Sequence, residues 1–306
     1  MLDVVAVGDI CVDLLTPPLA KFSLADRQLW VPEMPMVPGG NATNFALGTA
    51  ALGLRTGLAA CLGDDPISRF LQAALRRARV VSFLKVRKGL EAGRTVSLVH
   101  ADGTRQLVTY NGSNLAFSSR DVPPNALDAR HVHRAGYWWM PKLQGKPTRD
   151  LLRRAKNRGA ETSLDIATDP EGWTEARRLA VLAVLPEVTV FFVNEEEAWG
   201  IFGGRAPAAW ASEARRYGVE VLAVHRGPRG CTVAAKDGVV HAPAYRVTPR
   251  NPTGTGDLFN AGFVYGRLRG WNLSRCARFA NAVAAAHLEG PAAYPTVREA
   301  TRRMRS

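Results

Sequence analysis

The chain has 306 residues, 46% of them hydrophobic, enough for one large α/β domain with a substantial core rather than a disordered or fibrous polymer. Its net charge of +13 would ordinarily raise nucleic acid as a partner, but the arginines come as scattered doublets (76–77, 153–154, 177–178, 215–216, 302–303), each in a predicted helix and none interleaved with aromatics, so they read as solvated helix faces and no nucleic-acid partner is expected. MLDVVAVGD has no basic run, the longest apolar stretches are interrupted, and Cys11, Cys61, Cys231 and Cys276 form no CxxC pair, so the expectation is no signal peptide, membrane span, zinc site or disulfide framework, in a reducing cytoplasm.

Val4 to Val7 is a short apolar run ending at Gly8, the pattern of a buried strand, and Asp9 and Asp13 follow it. GDICVD lacks the GxGxxG of a dinucleotide fold, which counts against a Rossmann dehydrogenase. Residues 14–37 carry prolines without helical period, so irregular strands outside the main sheet are expected there. Gly39-Gly40 opens a helix over 41–52, and a double glycine before a helix lets the backbone approach a ligand closely. From Arg55 the chain alternates: strand 58–62, helix 66–77, strand 80–86. Such alternation with helix-length crossovers predicts a parallel sheet covered on both faces. The rhythm breaks at 95–110, where two β-rich runs flank Asp102-Gly103, a hairpin signal. Paired with residues 14–37, this hairpin would make one small antiparallel sheet placed as a lid.

The alternation resumes with a strand near 132–139, helix 148–158, strand 161–166, helix 174–184 and strand 188–193, which runs into NEEEAWG. Two readings of that motif stand. Asn194 and Glu197 fit an N-cap with its capping-box acid; or the strand end delivers both to the sheet's C-terminal edge, where their oxygens hold the water shell of a magnesium ion. Strand 219–224, a glycine turn at 225–230, a hairpin over 231–241 about Asp237-Gly238, and helices from Gly256, over 273–288 and from Thr296 complete the chain.

The segment 251–270, NPTGTGDLFNAGFVYGRLRG, is a glycine loop feeding a helix, with Ala261, Gly262, Tyr265 and Gly266 at helical spacing. The amides of Gly254, Thr255, Gly256 and Asp257 would lack intrahelical partners and, with the helix dipole, make an anion site. A carboxylate among such amides reads as a base aimed at a hydroxyl beside a phosphate; the alternative is Asp257 as the first-turn charge of an ordinary helix.

Taken together, PGGNATNFALGTAALG near the front, NEEE in the middle and NPTGTGD with its helix near the end, in this order across nearly the whole chain, resemble the ribokinase-like (PfkB) carbohydrate kinase family. The resemblance implies a single three-layer α/β/α domain over 1–306 with a mostly parallel central sheet and a β lid formed by about 12–37 and 93–111. It implies ATP- and Mg2+-dependent phosphorylation of a hydroxyl on a sugar, nucleoside or similar polyol. Residue by residue, Asp257 corresponds to the catalytic base, Gly254, Thr255 and Gly256 to the anion hole, and Asp13, Gly39, Gly40 and Asn44 to positions that hold acceptor hydroxyls. Asn194 and Glu197 match the magnesium-associated pair, and Asn281, in FANAVAAAHLEGP, a position near the adenine.

Three departures from the family pattern are visible. HRGPRG keeps the glycine turn of Gly227 and Gly230 for the nucleotide, but His225 stands where lysine or threonine is common; Ser68 stands where a glycine is usual; and Asn251-Pro252 replaces Asp-Thr before the anion hole. Many relatives are activated by potassium beside that loop, with an aspartate at the position matching Asn251, so weak dependence on monovalent cations is expected. Residues 29–37 and 95–110 offer apolar side chains and open strand edges, and a homodimer through the lid is expected. The alternatives are a nucleoside kinase of the same fold and a non-catalytic nucleotide- or nucleic-acid-binding protein. Acceptor identity is not legible: Trp30, Trp138 and Trp139 could stack on a base or sugar, or belong to the core.

Overall fold

In the computed structural model, which describes residues 1–19, 28–100, 105–204, 206–250, 252–290 and 294–305, the first apolar run forms β1 (Leu2–Val7). The chain continues through β2 (Cys11–Leu15), β3 (Met36–Gly39), α1 (Asn41–Ala51), β4 (Thr56–Leu62), α2 (Pro66–Arg77) and β5 (Val81–Val86). β6 (Gly93–Val99) and β7 (Arg105–Tyr110) interrupt the alternation. It resumes with β8 (Ala129–Arg134), α3 (Lys146–Lys156), β9 (Glu161–Asp165), α4 (Glu175–Leu182), β10 (Val190–Asn194), α5 (Glu195–Phe202), α6 (Pro207–Arg216) and β11 (Val221–His225). The hairpin of β12 (Cys231–Ala235) and β13 (Gly238–Ala242) leads to α7 (Thr255–Leu268), α8 (Leu273–Glu289) and α9 (Val297–Arg303).

Nine strands form the main sheet in the order β13-β12-β11-β10-β9-β8-β1-β4-β5. From β11 to β5 neighbours are parallel, and the β12–β13 hairpin adds two antiparallel strands at one edge. Parallel neighbours need long crossovers, which the helices supply, and strands buried on both faces read as continuous apolar runs. β1 shows this directly: Val4 and Ala6 pack with Phe45, Phe263 and Phe279 of α1, α7 and α8, whereas Val5 and Val7 pack with Leu151, Val181 and Trp210 of α3, α4 and α6. The three-layer α/β/α architecture is as expected. Strand order reverses around β1, with β4 and β5 on one side and β8 on the other, so a ligand crevice belongs at the C-terminal ends of β1 and β8.

The small second sheet has the order β3-β2-β6-β7. Its outer pairs, β2–β3 and β6–β7, are antiparallel, but β2 and β6 run parallel, with Asp13 opposite Thr95, so the sheet is mixed rather than wholly antiparallel. The connection from β2 to β6 passes through β3, α1, β4, α2 and β5, long enough to return in the same direction. The Asp102-Gly103 turn and residues 20–27 of the expected lid lie outside the described residues.

The strand expected near 132–139 ends instead at Arg134. Gly136 has φ +65°, and a Cβ there would fall 2.2 Å from Asp9 Oδ1, so the backbone bends around that carboxyl instead of continuing in the sheet. Trp138 therefore leaves the sheet and is buried, its Nε1 donating to Ala167 O at 3.0 Å and the Arg177 guanidinium 4.3 Å above its ring. Trp30 is 85% exposed. Asp65 caps α2, its Oδ1 accepting from both the amide and the hydroxyl of Ser68 in the first turn. Among the described residues no helix is long and apolar enough to cross a membrane, and the four cysteines are unbridged and buried.

Candidate active site

The loop before α7 ends on Gly254, whose φ of +81° is left-handed and whose carbonyl accepts from Leu258 N at 3.0 Å. Glycine takes that conformation without the Cβ penalty of other residues. Thr255 is tied back by its amide (3.3 Å) and hydroxyl (2.8 Å) to Pro252 O, so of the four expected anion-binding amides its own is already engaged. α7 is held by close packing. A Cβ at Gly48 would sit 2.6 Å from Leu258 Cδ1, one at Gly262 3.0 Å from Ala280 Cα, and one at Gly266 2.8 Å from Cys276 Sγ. Small residues thus let α1, α7 and α8 approach closely, which sets where Asp257 can stand.

Asp257 is 4% exposed. Its Oδ1 accepts from Asn41 Nδ2 and its Oδ2 from Asn44 Nδ2, each at 3.1 Å. Burial raises its pKa well above the usual carboxylate range, the charges of Asp165 and Asp9 push the same way, and the bonds from Asn44 and Asn41 oppose them. Asn41 was missed in the motif reading. The signal was present, since 41 and 44 are one helical turn apart and share a face.

The helix start that carries Asn41 is itself held by Asp9, another residue the sequence reading left without a role. Asp9 Oδ2 and Oδ1 accept from the amides of Asn41 and Ala42, each at 3.0 Å, capping the first turn of α1, whose preceding residue Gly40 has φ +96°. The Asn114 carboxamide clamps Ile10 through its amide (3.1 Å) and carbonyl (3.0 Å), fixing the link from Asp9 to Asp13. Asp13 is buried on β2, with Cys11 Sγ donating to its Oδ1 at 3.6 Å. A Cβ at Gly39 would lie 2.3 Å from Asp13 Cγ, so glycine at that position is what gives the carboxyl its space. Asp13, Gly39, Gly40, Asn44, Asp257 and Gly254 therefore gather in one place at the crevice.

On the far side of Asp257, β9 ends in Asp165 and β10 in Asn194. Asn194 Oδ1 accepts from Glu197 N and Glu197 Oε2 from Asn194 N, both at 2.8 Å, so the capping box is real. Glu197 is also 5% exposed, its Oε1 accepting from Asn194 Nδ2 (2.7 Å) and Thr168 Oγ1 (3.1 Å). Burial, reinforced by the charge of Asp165, pushes its pKa up to about 8. Asp165, which the motifs did not flag, accepts from Asn260 Nδ2 at 2.6 Å, and Asn260 Oδ1 meets His225 Nε2 at 2.9 Å. Burial lowers the pKa of His225 and raises that of Asp165. A Cβ on Gly256 would come within 3.5 Å of His225 Nδ1, so this imidazole backs the first turn of α7. Among the described residues no cluster of three acid, histidine or cysteine side chains is arranged to hold a metal directly.

Gly227, at φ +54°, borders open space, whereas a Cβ at Gly230 would meet Ala242 O at 2.0 Å, so Gly230 packs against the end of β13 at the open end of the β12–β13 hairpin. Asn281 Nδ2 donates to Ala242 O (3.0 Å) and Pro243 O (2.9 Å), tying α8 to the end of β13. Asn251 lies outside the described residues.

The family model described as pfkB family carbohydrate kinase matches residues 1–299. The cytidine kinase of Thermococcus kodakarensis is 28% identical over 282 residues, 91% of this chain and 93% of that protein. The crystal structure of adenosine kinase from Sinorhizobium meliloti superposes with a TM-score of 0.87 at 23% identity, over 99% of both chains. Arabidopsis thaliana ribokinase complexed with ribose and ATP superposes with a TM-score of 0.79 at 17% identity, over 100% of this chain and 99% of that one. At such identities the superpositions carry the fold, and the family follows from the match that spans residues 1–299: the chain belongs to the pfkB family of carbohydrate kinases.

Proposed function

We propose that this kinase transfers the γ-phosphoryl group of ATP to a hydroxyl of a sugar, polyol or nucleoside, with Asp257 as the base. One observation carries the reading: a buried carboxylate, both of whose oxygens are oriented by carboxamides, stands in the first turn of a helix that begins on a left-handed glycine. The acceptor hydroxyl gives its proton to Asp257 as its oxygen bonds to the γ-phosphorus and the bond from that phosphorus to the ADP oxygen breaks. A base whose proton affinity is raised by burial suits this step, and positioning with neutralisation of charge does most of the rest in phosphoryl transfer. The helix dipole and the amides of Gly254 and Gly256 face the transferring group in this reading, the Thr255 amide being held by Pro252 O. Asp13 and Asn44 hold the acceptor's other hydroxyls, and Gly39 keeps that side open.

A magnesium ion, when bound, supplies positive charge to the phosphoryl oxygens, and Asn194 and Glu197 would hold it through its water shell. Glu197, a buried acid whose protonation is favoured by burial and then by the charge of Asp165, is what a cation nearby would relieve. The turn of His225, Gly227 and Gly230 and the segment near Asn281 flank the nucleotide in this reading. The small sheet serves as a lid that excludes water, within a single domain. Its exposed Met36, Leu107, Val108 and Tyr110 support pairing with a second copy, and the unbridged cysteines support a cytoplasmic setting.

A nucleoside acceptor is the second reading, favoured by the identity to a cytidine kinase. Coupled ADP release across a panel of sugars, sugar acids, polyols and nucleosides decides between them. Absence of ATP- and Mg2+-dependent turnover on every class would overturn the kinase assignment.

A further inference from the structure

The acceptor end of the site is braced from a direction outside the three motifs. Tyr294 lies between α8 and α9, and its hydroxyl is 3.2 Å from Asn44 Oδ1 and 3.4 Å from Pro38 O. Asn44 is the residue whose Nδ2 meets Asp257 Oδ2 at 3.1 Å. A carboxamide has a donor end and an acceptor end of nearly equal shape. Only the donor end is attractive to a carboxylate; turned over, Oδ1 would face Oδ2. Which end faces the base is therefore decided by what meets the other end. Tyr294 supplies a donor there: burial, and then the charges of Asp13 and Asp257 and the nearby Cys11, hold its phenolic proton on above the usual tyrosine range.

The same region reaches the anion loop. His287, near the C-terminus of α8, stacks with Tyr294 at a centroid distance of 6.3 Å and places Nε2 2.9 Å from Thr253 O, the carbonyl just before Gly254. Pro38 is the residue before Gly39 on β3, so one phenol spans the small sheet, α1 and, through Asn44, the first turn of α7.

We propose that Tyr294 is a positioning residue for the base: by donating to Asn44 Oδ1 it keeps the Asn44 amide turned toward Asp257, while His287 behind it anchors the loop that precedes Gly254. The inference rests on the reading of Asp257 as the base.

Tyr294→Phe removes the hydroxyl and keeps the ring. Turnover falls about tenfold, equivalent to ~1.4 kcal/mol, the acceptor KM rises, and the ATP KM stays where it was. In an Asn44→Ala background the same substitution has no further effect, because a residue that acts through Asn44 has nothing left to orient. A second readout is independent of activity: the Asp257 carboxyl is titrated by 13C NMR in protein labelled at aspartate Cγ, the resonance assigned from Asp257→Asn. Asp9 and Asp165, which raise this pKa, and Asn41, which lowers it, remain in Tyr294→Phe, while the lowering bond from Asn44 is no longer held, so the midpoint moves to higher pH. Additive losses in the Asn44 cycle, or an unmoved midpoint, would overturn the proposal. A wild type inactive on every acceptor would sink the kinase reading instead, and the NMR titration would still decide this one.

Discussion

Asp257→Asn separates what the carboxylate does for chemistry from what it costs the fold. The substitution keeps shape but removes the proposed base, so turnover on the best acceptor should fall by roughly 10²–10⁴, the usual contribution of general-base catalysis, or about 3–5 kcal/mol. Nucleotide affinity changes far less, since the amides of the loop remain. Stability moves by two opposing terms. Asn41 and Asn44 both donate to this side chain, and a carboxamide can accept through only one end, so one pair becomes donor against donor at a cost of about 1–3 kcal/mol. Against that, the buried charge disappears. Asp257 has a folded pKa raised above its ordinary value of 3.8; a carboxyl raised in this way costs the fold nothing while protonated in both states, and an increasing amount as pH climbs from the unfolded value through the folded one. The melting temperature of Asp257→Asn relative to wild type must therefore improve as pH rises from 4 toward neutrality. Coupled ADP release and thermal melts from pH 4 to 8 test both halves. Near-wild-type turnover refutes the assignment of the base, and a stability difference that ignores pH refutes the account of its burial.

Three further outcomes are expected. Glu161 accepts from His131 Nδ1 (3.1 Å) and Arg267 Nε (3.2 Å) and its pKa is pulled down from 4.5 to about 2, burial opposing these partners; its contribution is present above the unfolded value and lost as pH falls toward 2. Glu161→Gln should thus cost up to about 3 kcal/mol at pH 7, and a urea-unfolding gap as wide at pH 2.5 as at pH 7 would contradict this. Turnover in tetramethylammonium buffer at constant ionic strength should respond weakly to added potassium, since Asn251 lacks the carboxylate of relatives and His287 already occupies Thr253 O; activation of about tenfold, ~1.4 kcal/mol, would show otherwise. Sedimentation at micromolar concentration should give a dimer that Val108→Glu, on exposed β7, dissociates into active-fold monomers, and a monomeric wild type would end the idea of pairing through the small sheet.

Local pattern was enough for the layered α/β architecture. Apolar runs such as Val4–Val7 and Val190–Val193 have no polar face, which only a strand covered on both sides tolerates, and the helices between them have no shorter task than crossing over. It was also enough for the motifs, because a glycine pair before a helix and a glycine loop carrying an acid are local features whose backbone requirements are written in adjacent residues. The parallel joint between β2 and β6, the bend at Gly136 around Asp9, and the polar network behind Asp257 and its two asparagines were not legible. Asp9, Asn114, Asp165, Asn260, His287 and Tyr294 look like ordinary polar residues in sequence, and each acquires its task from a partner 30 or more positions away. The sequence by itself determined which backbone could bend and which stretches had to be buried. Only the tertiary structure decided which buried polar groups meet, because a hydrogen bond across the crevice depends on the distance and direction of its two ends and not on the chain between them.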